Sequence, residues 1–175
     1  MKSTLGSKRF RGRLGERGTA AIEFAFAAPV FLLVILGIFE LSFMVFVQTV
    51  LDGSARDAAR LIRTGQVATS TDPQATFQNL LCSDMAVLVG CTNLIFNVQT
   101  FSSFSAVTTT PPKDKNGKPV TTFNAGNAST DMLVEVLYNR PFATQIIGKF
   151  FGSTESVYLS STVIFRNEPY QGPTS

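Results

Sequence analysis

The sequence predicts an α+β chain: a long N-terminal transmembrane helix that continues outside the membrane, then a small domain with an antiparallel sheet of about three strands and short helices. Three observations predict it. Residues 24–39 carry no charge and follow a basic start. From Val47 to Ile62, apolar residues recur at helical spacing. Beyond residue 90, three segments rich in β-branched and aromatic residues, near 94–101, 131–138 and 156–165, read as strands.

The chain has 175 residues and a formal net charge of +3, but the charge is unevenly placed. In residues 1–18, Lys2, Lys8, Arg9, Arg11, Arg13 and Arg17 stand against Glu16 alone, and the remainder is slightly acidic. A short basic tail ahead of an apolar run is the positive-inside pattern, which keeps the N-terminus in the cytoplasm. The tail adjoins a membrane segment and no basic patch follows it, so no nucleic-acid partner is expected. The chain has no His, which removes the commonest general base and metal ligand. It has no glycine-rich phosphate loop and no hydrolase-type serine motif. No cofactor is expected, and the chain is not expected to be an enzyme.

The uncharged run from Phe24 to Phe39 falls short of the roughly 20 residues that span a bilayer core. The span should therefore run through Glu40 to about Val47, and the lipid bilayer is an expected partner. Two carboxylates mark it: Glu23 at its mouth and Glu40 inside it. A lone charge at the centre of a membrane helix costs about 2.5–3.5 kcal/mol. Neither carboxylate has a basic neighbour at helical spacing, so each should find its partner in another chain, at the chain's own N-terminus or in water. For Glu40 three outcomes stand open: satisfaction by a partner subunit, protonation, or snorkelling to the far interface. Pro29 should kink the helix, and Gly37 with the Ala-rich start lets another helix approach closely.

Past Gln48, residues Val47, Val50, Leu51, Ser54, Ala55, Ala58 and Ile62 form one stripe, with Asp52, Arg56, Asp57, Arg60 and Arg63 mainly off it. Gly65 is the expected stop. The chain thus reads as a basic leader (1–18), a membrane-spanning and projecting helix (19–65), and an outer α+β domain (66–175). In that domain Asp72-Pro73 starts a helix carrying Phe77, Leu80, Leu81, Met85 and Leu88 at helical spacing. Asn116-Gly117 marks a turn within a long polar loop over 108–130. Residues 141–151 read as a short helix with Phe142, Ile146, Phe150 and Ile147 on its apolar face. The two cysteines, Cys82 and Cys91, lie beyond the span. In an oxidising compartment they should pair, since no other Cys competes; two thiols without His make a poor metal site.

A cleaved secretory signal has a shorter apolar region, and a plain signal anchor leaves the position of Glu23 to chance. Gly18 is followed by Thr19-Ala20-Ala21-Ile22 and then Glu23-Phe24. A glycine ending a basic leader, four residues, a glutamate and a long apolar helix resemble the processing site of type IV prepilins. The Glu-Phe pair, Ala-Pro-Val-Phe at 28–31, Gly-Ile-Phe-Glu at 37–40 and Ala-Arg-Asp-Ala-Ala-Arg at 55–60 further resemble the TadE-like family, minor pilin-like proteins of bacterial Tad (Flp) pilus systems. The family usually reads Gly-Ala-Arg where this chain has Ala58-Ala59-Arg60. Nothing after residue 65 carries the resemblance.

The resemblance implies a structural pilus component held in the inner membrane, with its C-terminal domain outside the cytoplasm. It implies a cut by a prepilin peptidase between Gly18 and Thr19. The new Thr19 amine would stand one helical turn from Glu23, whose carboxylate would neutralise the amine of a neighbouring subunit during assembly. Glu40 is the second expected assembly residue, facing a partner such as a TadF-like or TadG-like protein. The implied partners are the peptidase, other Tad pilins and pseudopilins, and the inner-membrane assembly platform; the implied roles are adhesion and biofilm formation. The alternative is an uncleaved single-pass envelope protein whose outer domain binds a partner. A secreted soluble domain would require a cut near Ala55.

Overall fold

The computed structural model describes residues 14–85, 90–103, 105, 107, 110–150, 152 and 155–170. The chain divides into two compact units, Met1–Phe39 and Glu40–Ser175. The described part of the first unit is the opening of helix α1, which runs Leu14–Arg63 and contains Pro29. Here the large apolar side chains, Phe24, Phe26, Val30, Phe31 and Phe39 among them, point outward and are exposed. By length and composition the helix is able to cross a membrane over Gly18–Arg63. It begins before Thr19, where the sequence reading starts it, and runs through Gly15 and Gly18, each of which costs a helix interior only about 1 kcal/mol relative to Ala.

The second unit begins with α1 at Glu40. It continues with α2 (Pro73–Met85), a 3-10 turn at Cys91–Asn93, strand β1 (Leu94–Phe101), β2 (Thr122–Phe123), β3 (Asp131–Pro141), α3 (Gln145–Phe150) and β4 (Ser156–Arg166). The stripe read from the sequence is the buried face of α1: Val47, Leu51, Ala55, Ala58 and Ile62 are buried, while Arg56, Asp57 and Arg60 are exposed. They join Phe77, Leu81 and Met85 of α2 and Phe96, Val98, Met132, Val134, Val136 and Tyr138 of the sheet in one core. Each large side chain so buried contributes roughly 1.5–3 kcal/mol.

Local signals set the element ends. Gly65 adopts φ +79° and donates its N–H to the Ile62 carbonyl at 2.9 Å, the left-handed stop that ends many helices. A Cβ at this position would also meet the Tyr170 ring at 2.5 Å. Asp72 caps α2, its carboxylate accepting from the Ala75 N–H at 3.0 Å. At the Asn116-Gly117 turn, the Asp114 carboxylate accepts from the Asn116 and Lys118 N–H groups, each at 2.8 Å, and Gly117 takes φ +77°.

The α+β class read from the sequence is the class observed, but the sheet differs in detail. It has four strands in the order β2-β1-β3-β4. The β1–β3 and β3–β4 pairs are antiparallel, and the added β2 runs parallel to β1. Two residues are too few to show an alternation; β2 is held by long-range contacts, the Thr122 hydroxyl donating to the Asn97 side chain at 2.6 Å and Phe123 packing on the core. The third helix is also shorter than expected. Pro141 ends β3, the helix starts at Gln145, and Ile147 is buried while Ile146 is exposed. Leu88, the Phe150 side chain, Phe151 and leader residues 1–13 lie outside the described residues.

Helix α1 and strand β4 run in the same direction. Gln48 donates to the Ser160 carbonyl at 2.9 Å, and the Glu168 N–H donates to the Arg63 carbonyl at 2.9 Å. Since β4 is an edge strand, the Gln48 bond also covers one of the edge groups that otherwise invite strand addition.

On the sheet face away from α1, Glu135 is buried beside Asn97, its partner across the β1–β3 ladder. Burial pushes its carboxyl above the usual range, and the polar Asn97 side chain beside it opposes the shift. In the unfolded chain the group ionises first. Stability should therefore fall as pH rises from about 4.5 towards the folded-state value. Glu135→Gln removes this component, so denaturation midpoints of variant and parent should diverge in the variant's favour as pH rises. Parallel pH profiles for the two proteins would contradict this.

Candidate functional site

The residues expected to direct processing and assembly lie at the start of α1. Gly18, Thr19 and Glu23 are all exposed there, and a Cβ built on Gly18 meets nothing within 4 Å. The Gly18–Thr19 bond lies within the helix.

The Cys82–Cys91 disulfide expected from the sequence is formed, with the Cα atoms 5.6 Å apart. It ties α2 to the turn that precedes β1. No group of three or more His, Cys, Asp or Glu able to hold a metal occurs among the described residues.

Glu40 has the most elaborate surroundings of the expected site residues. It opens the second unit, and its side chain is only 2% exposed. One carboxylate oxygen accepts from the Ala143 N–H at 2.7 Å and the other from the Thr144 N–H at 3.1 Å. These two amides lead into α3, whose first turn has no intrahelical acceptors for its N–H groups. A carboxylate at this end also meets the favourable pole of the peptide dipoles. The Arg140 guanidinium approaches the same carboxylate to 3.6 Å and is itself 7% exposed. Its other face lies over the Phe43 ring, 5.0 Å from the centroid, a cation–π arrangement.

The arrangement gives Glu40 partners that the sequence reading did not name: Arg140, Ala143 and Thr144 of the same chain. Helical spacing finds no cation near Glu40 because the cation lies at the end of β3, far along the sequence. A signal does exist. Arg140 continues the alternation Met132, Val134, Val136, Tyr138, so a lone cation falls on the strand face that packs against the helix carrying a lone anion.

The geometry offers two kinds of function. The exposed Gly18–Glu23 segment presents a carboxylate on an apolar helix. The buried Glu40 constellation fastens strand and helix ends to α1. Neither provides a nucleophile with a base. In the comparison with known proteins, residues 18–60 match the family described as TadE-like protein. No curated protein and no solved structure matches the chain.

Proposed function

We propose, with the TadE-like match of residues 18–60 as premise, that the chain is a minor pilin-like structural component of a Tad pilus, processed by a prepilin peptidase between Gly18 and Thr19. The single observation that carries this reading is the family match, which includes Gly18, Thr19 and Glu23 and ends within α1. The chain is anchored by α1, with its basic end in the cytoplasm and the second unit outside. Cutting creates an ammonium at Thr19, one turn before Glu23. In a low-dielectric setting an ammonium and a carboxylate of neighbouring subunits attract strongly, and the exposed Glu23 is placed to make that contact. Glu40 is fully engaged within its own chain, so the assembly contact is assigned to Glu23. The partners are the peptidase, other Tad pilins and the assembly platform, and adhesion through the outer domain is the downstream role.

A second reading, an uncleaved single-pass envelope protein, is favoured by one observation. Helix α1 starts at Leu14, so a peptidase must unwind a turn to reach the bond after Gly18. Intact mass separates the two. Extracted from membranes of cells that carry the cognate peptidase, the protein should lack residues 1–18 and begin at Thr19; without the peptidase it should be full length. Gly18→Val should block the cut by filling the position with a β-branched side chain. An unshortened chain in the presence of active peptidase leaves the anchored-protein reading.

A further inference from the structure

The charge-free stretch of α1 in the first unit, Phe24–Phe39, rises only about 24 Å at 1.5 Å per residue, against a hydrocarbon core of about 30 Å. A bilayer crossed by α1 must therefore reach residues of the second unit. That unit carries the matching surface. Leu41, Phe43, Val45 and Phe46 are 42–67% exposed, and the apolar run ends where Gln48 and Thr49 begin. At the level of Glu40 the domain adds its own exposed apolar residue, Ile146 of α3, 51% exposed, with exposed Gln145 and Lys149 on the same helix.

We propose that α3 is seated on the outer leaflet of the bilayer that α1 crosses, with Ile146 at the boundary of headgroups and acyl chains and Lys149 among the headgroups. This rests on the membrane-spanning reading of α1. Three observations select lipid as the occupant. The apolar run of the span continues in sequence through Leu41–Val47, and Leu41, Phe43, Val45 and Phe46 are exposed. The Ala143 and Thr144 amides are satisfied by Glu40, whose charge is met by Arg140; a bilayer interior tolerates backbone amides only when they are so satisfied. The cation on α3 has a long stem that reaches headgroup phosphates while its methylenes stay in apolar surroundings. The Glu40 constellation then has a physical purpose. It lets the domain rest directly on the membrane without presenting a bare charge or amide to the hydrocarbon.

The chain contains no Trp, so single tryptophans report depth without background. Phe31→Trp, Ile146→Trp, Lys149→Trp and Gln66→Trp variants of the full chain would be reconstituted in phosphatidylcholine vesicles containing lipids brominated at shallow or deep acyl positions. Phe31→Trp should be quenched most by deep bromines. Ile146→Trp and Lys149→Trp should emit at shorter wavelength than Gln66→Trp and be quenched most by shallow bromines. Gln66→Trp, at the far end of α1, should be unaffected. If Ile146→Trp and Lys149→Trp both behave like Gln66→Trp while Phe31→Trp is quenched, the span stands and the seating of α3 is overturned, leaving that face to a protein partner. If Phe31→Trp also escapes quenching, the membrane-spanning reading itself fails. Having two probes on α3 keeps the result decisive if one of them perturbs the fold.

Discussion

Glu40→Leu is expected to destabilise the second unit by about 3–5 kcal/mol, the range for breaking a buried ion pair by removing one partner. Leucine fits the apolar surroundings, so the loss does not come from packing. It comes from what stays behind. Arg140 remains buried with its anion gone, and the Ala143 and Thr144 amides lose acceptors that now hold them at 2.7 and 3.1 Å. The Phe43 ring over the guanidinium compensates only in part, since a cation–π contact supplies about 0.5–2 kcal/mol. Chemical denaturation in detergent, followed by circular dichroism, would measure the loss.

A double variant, Glu40→Leu with Arg140→Met, should recover much of it, because exchanging a whole buried pair for apolar side chains is often close to neutral. The recovery should be incomplete, since the two amides still lack their acceptor. A single variant that unfolds at the parent's midpoint would show that the constellation contributes nothing. The unfolding measurement also separates this internal role from an assembly role. A variant folded as well as the parent but defective in co-purifying with other pilus proteins would return Glu40 to the intermolecular function.

Phe77→Ala should have a loss of similar size, about 3–5 kcal/mol, as expected for a buried phenylalanine cut to alanine. Phe77 is fully buried and centres a ring cluster. Its centroid lies 5.2 Å from that of Phe96, edge-to-face at 67°, and 5.6 Å from that of Phe123. Phe123 belongs to the two-residue β2, which has few other anchors, so the cavity would loosen that strand as well. Combined with Phe123→Ala, the losses should be less than additive, with a coupling of about 0.5–1.5 kcal/mol. By contrast Phe31, 64% exposed, makes no comparable packing contacts, and its truncation should leave the denaturation midpoint of the second unit in place. Equal effects of the two truncations would contradict this assignment of the core.

What the sequence by itself determined is mostly local. Asp72-Pro73 starts α2 because a carboxylate and a fixed φ act on the adjacent backbone. Gly65 stops α1 because only it adopts a positive φ without strain. The alternation over 94–101 is a strand, and the helical stripe from Val47 to Ile62 is the buried face of α1. Cys82 pairs with Cys91 since no third thiol exists. The TadE-like match is local too, confined to residues 18–60 of one helix. What only the tertiary structure decided depends on contacts between distant segments. Strand β2 is too short to have a period and exists through Asn97 and the Phe77 cluster. Helix α3 starts late, at Gln145, because the Ala143 and Thr144 amides ahead of it are drawn to Glu40. The partner of Glu40 lies a hundred positions away on β3. Periodicity reports which face of an element is apolar, but it does not say which distant group meets a lone charge on that face. That pairing is settled only when the sheet packs on the helix, where low dielectric makes an unpaired charge costly and brings Arg140 to the one carboxylate within reach.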